Sequence, residues 1–195
     1  MFSARVPAGR TPNRITAALR SLRAAGEPLI DLTASNPTTA GFTYPPDLLA
    51  GLGGPDALTY TPDPQGLPET RAAIAADYAR RGEAVDPAQL VLAPSTSDAY
   101  SALLKVLCDP GDEVLVPDPY YATYEGVVAA TGATFVTVPT RPEDGFHVTA
   151  EAIEARVTPR SRVLLLNTPS NPTGAVLSRD RKSTRLNSSH GYISY

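Results

Sequence analysis

Lysine is nearly absent from this chain. Of its 17 basic residues only two, Lys105 and Lys182, are lysines. Cysteine is rarer still. Cys108 stands alone, which excludes an internal disulfide, and its place at the end of an apolar helical pattern predicts a core position. No window reaches the roughly 20 apolar residues of a membrane span. The opening residues Met1 to Arg5 lack the apolar stretch of a secretory signal, so a cytoplasmic location is expected. Positive charge is not in excess. A net charge of −3 and a pI near 5.4 leave no basic footprint for nucleic acid. Gly-x-Gly-x-x-Gly and Gly-Lys-Ser/Thr loops are missing as well, which argues against a nucleotide-binding α/β module.

What is present is an ordinary apolar fraction of 42% over 195 residues, enough for one domain or part of a larger one. The 20 prolines punctuate loops and form no low-complexity tract. Asn13 is placed to cap a helix with Ile15, Leu19 and Leu22 on one stripe. Leu29 to Leu32 reads as a short extended segment, followed by a loop at Thr33 to Pro37. Residues 38 to 68 are rich in proline and glycine and are expected to be mostly irregular. A helix is predicted from Glu69 to Arg81, with Ile74 and Tyr78 four apart.

From residue 89 the pattern alternates. Strands are predicted at Gln89–Ala93, Glu113–Val116, Thr134–Val138 and Val163–Leu166. Between them lie helices at Ser97–Leu107, Tyr121–Thr131 and Thr149–Arg156. Tyr100, Leu103, Leu104 and Leu107 form one inward stripe, and Tyr124, Val127 and Val128 another. Gly132 ends the second helix, and Thr149 is a candidate cap for the third. Strands alternating with helices imply a mostly parallel sheet in a three-layer αβα arrangement.

Three loops leave the carboxyl ends of these strands, where open α/β sheets bind ligands. Pro94-Ser95-Thr96-Ser97-Asp98 starts a helix with hydroxyls and unpaired N–H groups, which suits an anion. Ordinary capping would use the same residues. If a phosphate binds there, the Asp98 carboxylate should point away. Asp118 to Tyr124 holds three tyrosines on a proline turn, and an aromatic there could stack on a flat heterocycle. Tyr124, at helical spacing with Val127 and Val128, is expected in the core. The third loop, Asn167-Thr168-Pro169-Ser170-Asn171-Pro172-Thr173-Gly174, is an irregular turn with two asparagines inside it.

Asn171 to Gly174 resembles the Asn-Pro-x-Gly segment of class I aminotransferases, pyridoxal-phosphate enzymes of fold type I. The resemblance covers about residues 10 to 180. Tyr60-Thr61-Pro62 with Gly66-Leu67-Pro68 is similar to the family's Tyr-x-Pro…Gly segment, one residue longer in spacing. Ser95, Thr96 and Ser97 fall on the family's phosphate cradle, with Thr96 where glycine is common. Asp109 to Val114 looks like the family's Asp-Pro-Gly-Asp-x-Val. Tyr121 matches the aromatic that stacks on the pyridine ring. The resemblance implies that Asn171 bonds the phenolic oxygen of the cofactor. It implies that Tyr60 reaches the cofactor phosphate of a neighbouring subunit. It places Ser35 and Asn36, together with Asn171, at the substrate. The implied cofactor is pyridoxal 5′-phosphate, the implied substrates an amino acid and a 2-oxo acid, and the implied full-length assembly a homodimer.

The family's Schiff-base lysine follows the Asn-Pro-x-Gly turn, and so does the aspartate that pairs with the pyridine nitrogen. Neither lysine here matches. Lys105 reads as a helix-surface residue near a C-terminus. Lys182 lies in a polar, aperiodic tail from about Arg181 that looks like translated adapter sequence and includes His190. No catalytic residue is therefore assigned, and the fragment is expected to be inactive. His147 is expected to be an ordinary loop residue. The expected division is an arm and part of a small domain in residues 1–40, half of a cofactor-binding large domain in 41–180, and the tail in 181–195. Another fold-type-I enzyme, such as a C–S lyase, would share all five motifs. A regulator with an aminotransferase-like sensing domain is disfavoured, because no DNA-binding segment precedes these motifs.

Overall fold

The computed structural model describes residues 6, 11–32 and 35–177. Lys182, His190 and the rest of the tail from residue 178 lie outside the described residues, as do Thr33 and Ala34 of the predicted loop. The chain divides into two compact units, Met1–Val91 and Leu92–Tyr195.

In the first unit, α1 spans Arg14–Ala24 and begins where predicted, because Asn13 accepts from the Thr16 N–H at 2.8 Å. Its stripe of Ile15, Leu19 and Leu22 stays exposed, and the helix buries none of its residues. The predicted extended segment at Leu29 to Leu32 joins no sheet, and Ile30 and Leu32 are exposed. Two 3-10 turns, Ala50–Gly53 and Pro55–Leu58, interrupt the irregular region. Helix α2 spans Pro68–Arg80, with proline in its first turn. Only Ala75 of this helix is buried.

The strand predicted at Gln89–Ala93 does not form. Pro87–Gln89 is a 3-10 turn capped by Asp86, and residues 90–93 pair with no strand among the described residues. A strand exists only against a neighbour, and this segment has none among the described residues. Its apolar composition was a sound signal without a partner to act on.

The second unit carries the core. Helix α3 (Thr96–Leu107) leads to β1 (Glu113–Asp118), α4 (Thr123–Thr131), β2 (Thr134–Pro139), α5 (Ala150–Glu154) and β3 (Ser161–Leu164). The strands form a parallel sheet in the order β2-β1-β3, with Leu115 opposite Val136 on one side and Leu164 on the other. The central strand β1 is buried on both faces, through Val114, Leu115 and Val116. Val114 and Val116 pack with Tyr100 and Leu104 of α3 and with Tyr124 and Val128 of α4. Leu115 and Val138 are buried on the opposite face, as the two-residue period of a strand requires. Leu107, predicted to face inward, is 47% exposed at the end of α3. Gly132 caps α4 in the left-handed conformation at φ 88°, where a side chain would be strained. Cys108 is buried, as expected.

Candidate functional site

Strands β1 and β3 are neighbours in the sheet but not in sequence. The chain leaves β1 for β2 on one side and returns to the other side as β3. A crevice opens between their carboxyl ends, the position at which doubly wound sheets take ligands. Pro119 and Tyr120 line it after β1, and Leu166, Asn167, Ser170 and Asn171 after β3. It is partly open to solvent, and its volume of about 30 Å³ leaves room for a water or two.

The turn that holds Asn171 is closed by its own backbone. The Gly174 N–H donates to the Ser170 carbonyl at 2.7 Å, and the Ser170 N–H to the Ala175 carbonyl at 2.8 Å. Gly174 sits at φ 73°, a left-handed conformation that glycine adopts without strain. The Thr168 hydroxyl accepts from the Leu177 N–H at 3.0 Å, tying the far side of the turn. Asn171 stands exposed at the tip, with no side-chain hydrogen bond to a described residue. Its amide is thus not spent on bonding its own backbone.

The start of α3 is more committed. The Ser95 hydroxyl accepts from the Asp98 N–H at 3.1 Å and donates to Asp98 Oδ2 at 2.7 Å. The Asp98 carboxylate therefore turns onto the helix start and does not point away as expected. Its short side chain accepts from the capping hydroxyl and not from the Ser95 backbone N–H that a capping box would use. Thr96 and Ser97 are exposed, and their N–H groups stand in the helix turn that has no intrahelical acceptor.

The three tyrosines divide. Tyr124 is 4% exposed and meets Tyr100 edge to face, with ring centres 5.3 Å apart and hydroxyls 3.4 Å apart. Burial, with the Tyr100 hydroxyl beside it, pushes its phenol well above the usual tyrosine range. Tyr121 is 44% exposed and rests edge to face on Tyr124 at 5.6 Å. Tyr120 packs against Phe135 at 4.8 Å and donates to Glu125 Oε2 at 3.3 Å. Burial and the negative Glu125 raise its phenol.

Of the residues expected at the site, the crevice itself gathers only Asn171. Tyr121 and Ser95 to Ser97 belong to the same unit but do not line it. Ser35, Asn36 and Tyr60 belong to the first unit. Tyr60 is 90% exposed. Asn36 Oδ1 accepts from the Thr38 N–H at 3.0 Å and from its hydroxyl at 2.7 Å, which fixes a local turn. Lys105 is exposed in the last turn of α3, as its sequence context indicated. Sequence reasoning missed two crevice residues. Tyr120 had been grouped with its neighbours. His147, an unmarked loop residue, lines the crevice with a buried Nδ1 that has no hydrogen-bond partner among the described residues. No motif surrounds His147, so only the fold could bring it there. Among the described residues no cluster of side chains could hold a metal ion, and no helix is long and apolar enough to cross a membrane.

Residues 27–184 match the family described as aminotransferase class I and II. The arginine–pyruvate transaminase AruH of Pseudomonas aeruginosa is 46% identical over 122 residues, which are 62% of this chain and 31% of that protein. The aspartate/prephenate aminotransferase of Thermus thermophilus is 34% identical over 85% of this chain and 43% of its own length. A solved aspartate aminotransferase from Thermus thermophilus, a single mutant, superposes with a TM-score of 0.75 at 35% identity. It covers 90% of this chain and 47% of its own. The chain thus spans less than half the length of these relatives.

Proposed function

We propose, since this chain belongs to the class I and II aminotransferase family, that the protein it comes from moves an amino group between an amino acid and a 2-oxo acid with pyridoxal phosphate. Members of that family use this cofactor. When bound, it supplies an electron sink for the α-carbon of the substrate. The residues of this chain provide the binding and the orientation.

Thr96, Ser97, Tyr121 and Asn171 suit the cofactor, while the Asp98 carboxylate at the same helix start works against its phosphate. Thr96 and Ser97 offer hydroxyls and unpaired N–H groups at the positive end of α3, the chemistry a phosphate requires. Ser95 stands at the head of the cradle, and its hydroxyl would have to leave Asp98 Oδ2 to donate to a phosphate. Tyr121 is partly exposed and would cover one side of a pyridine ring. Asn171 carries an unspent amide on a stiff turn and would donate to the phenolic oxygen of that ring. Tyr60 would reach the phosphate held by a second copy, which makes the full-length protein a homodimer. Ser35, Asn36 and Asn171 would border the substrate carboxylate. The crevice is small as formed, and in this reading the rest of the full-length chain builds the remaining wall.

The covalent step belongs to a lysine outside the matched motifs, so none of the residues above is assigned a catalytic role. On the same reading, residues 1–40 belong to the arm and small domain, residues 41–180 to the cofactor domain, and 181–195 to an unrelated tail. A cytoplasmic location fits small, soluble substrates of central nitrogen metabolism.

The observation that carries this proposal is Asn171. Within a family match of 158 residues' span, 27–184, the motif asparagine stands at the carboxyl end of β3 with its amide unspent. Absorbance titration of the full-length protein with pyridoxal phosphate tests it. A saturable spectral shift and half-transamination by an amino acid are expected. Absence of both would sink the idea.

A further inference from the structure

The guanidinium of Arg71 joins two loops of the first unit. Its Nε donates to the Gly66 carbonyl at 3.0 Å and its Nη1 to the Pro87 carbonyl at 3.0 Å. Nη2 lies 3.7 Å from Asp63 Oδ2. The side chain is only 12% exposed. A planar fork can meet three acceptors in fixed directions, which a lysine ammonium on a flexible stem cannot do.

The turn it grips is otherwise held locally. Asp63 Oδ1 accepts from the Gln65 N–H at 2.8 Å, and the Gly66 N–H donates to the Asp63 carbonyl at 3.0 Å. Gly66 takes φ 92°, so the backbone reverses there as only glycine does without strain. Gln65 adds one more tie, from its Nε2 to the Ala88 carbonyl at 3.1 Å. Arg71 and Gln65 thus fasten the Asp63–Gly66 turn to the Pro87–Ala88 turn. Tyr60 stands three residues before Asp63, and Pro62 and Pro64 stiffen the chain around it. Its ring is 90% exposed. With little packing of its own, its direction is set by the backbone that follows.

We propose that Arg71 is a positioning residue for Tyr60: it fixes the Asp63–Gly66 turn, and through that turn aims the tyrosine hydroxyl at a phosphate. This rests on the reading of Tyr60 as a phosphate ligand. The alternative is that Arg71 only stabilises the first unit.

A double-mutant cycle in the full-length protein separates the two. The readouts are the dissociation constant of pyridoxal phosphate, by spectral titration, and the melting temperature. Tyr60→Phe removes one hydrogen bond to the phosphate and should weaken binding by roughly fivefold. Arg71→Lys keeps the charge and loses the fork. It should weaken binding by a similar factor, and by nothing further in the Tyr60→Phe background. Asp63→Asn leaves both backbone bonds of Arg71 in place and should weaken binding less, which serves if Arg71→Lys folds poorly. Unchanged affinity in Arg71→Lys and Asp63→Asn, with a lowered melting temperature, would overturn the proposal. So would effects of Arg71→Lys and Tyr60→Phe that simply add. If Tyr60→Phe alone binds like the parent, the phosphate role of Tyr60 fails and this inference falls with it.

Discussion

The hydroxyl of Ser95 and the carboxylate of Asp98 face each other 2.7 Å apart at the first turn of α3, while the same hydroxyl accepts from the Asp98 N–H. The helix thus carries its own anion where a phosphate is proposed to bind. A second anion about 4 Å away costs about 1 kcal/mol even in water. Asp98→Asn in the full-length protein should therefore tighten pyridoxal phosphate by roughly fivefold and leave pyridoxal, which has no phosphate, unaffected. Equal effects on the two ligands would place the phosphate elsewhere.

Ser95→Ala removes the cap itself. The loss should be about 1 kcal/mol of stability, the usual cost of deleting a serine N-cap. Urea denaturation of the full-length protein measures it. Thr96→Ala, which removes no cap, should leave the midpoint in place while weakening the cofactor.

Asn171 is exposed and bonded to nothing described, so its removal should spare the fold. Asn171→Ala is expected to lower turnover by roughly five- to 150-fold, the equivalent of about 1–3 kcal/mol for one oriented donor. The melting temperature should stay within a degree or two, about the scatter of a neutral surface change. Unchanged turnover with a lower melting temperature would mean that the asparagine merely shapes its turn.

The second unit was largely legible in the sequence because its signals are local or periodic. Thr149 starts its helix and Gly132 ends its own by chemistry confined to one turn, as Asn13 starts α1 in the first unit. Val114 to Val116 announced a strand buried on both faces. Two failures share a cause. The stripe of Ile15, Leu19 and Leu22 and the apolar run near Leu90 both need a distant partner, and sequence pattern reveals the need without supplying the partner. The placement of Asp98 was misjudged for another reason. Whether a carboxylate turns inward depends on which hydroxyl its rotamer can reach, and a motif carries no rotamer. His147 was invisible because nothing in a loop sequence tells which side chains a parallel sheet gathers at its carboxyl edge.

The buried phenol of Tyr124 makes stability depend on alkali. In the unfolded chain it loses its proton near pH 10. In the fold its pKa is higher, through burial and the Tyr100 hydroxyl. Above pH ~10 the native state therefore holds more protons than the unfolded one, and stability falls as pH rises. Below that pH the contribution is fully present. Thermal melts of the full-length protein from pH 8 to about 11 should fall more steeply for the parent than for Tyr124→Phe. Parallel curves would show that this phenol is not the group responsible.

The chain as it stands, residues 1–195, should neither fold cooperatively nor transaminate. Lys105 is exposed on the last turn of α3, outside the crevice that holds Asn171. A lysine on an open helix surface lacks the surroundings that turn an amine into a nucleophile and base. Lys182 lies outside the described residues. The structural argument is independent. Ile30, Leu32 and Leu58 are each 90% exposed or more, and Val91 in the strandless segment before α3 is 67% exposed. An apolar surface of that kind favours association with other copies over a monomeric fold. Sedimentation, amide exchange and a cofactor titration on the isolated chain are the measurements. Aggregation, weak protection outside β1 and its neighbours, and no saturable spectral change are expected. A cooperative monomer with transaminase activity would overturn the argument and restore to Lys105 the role denied to it here.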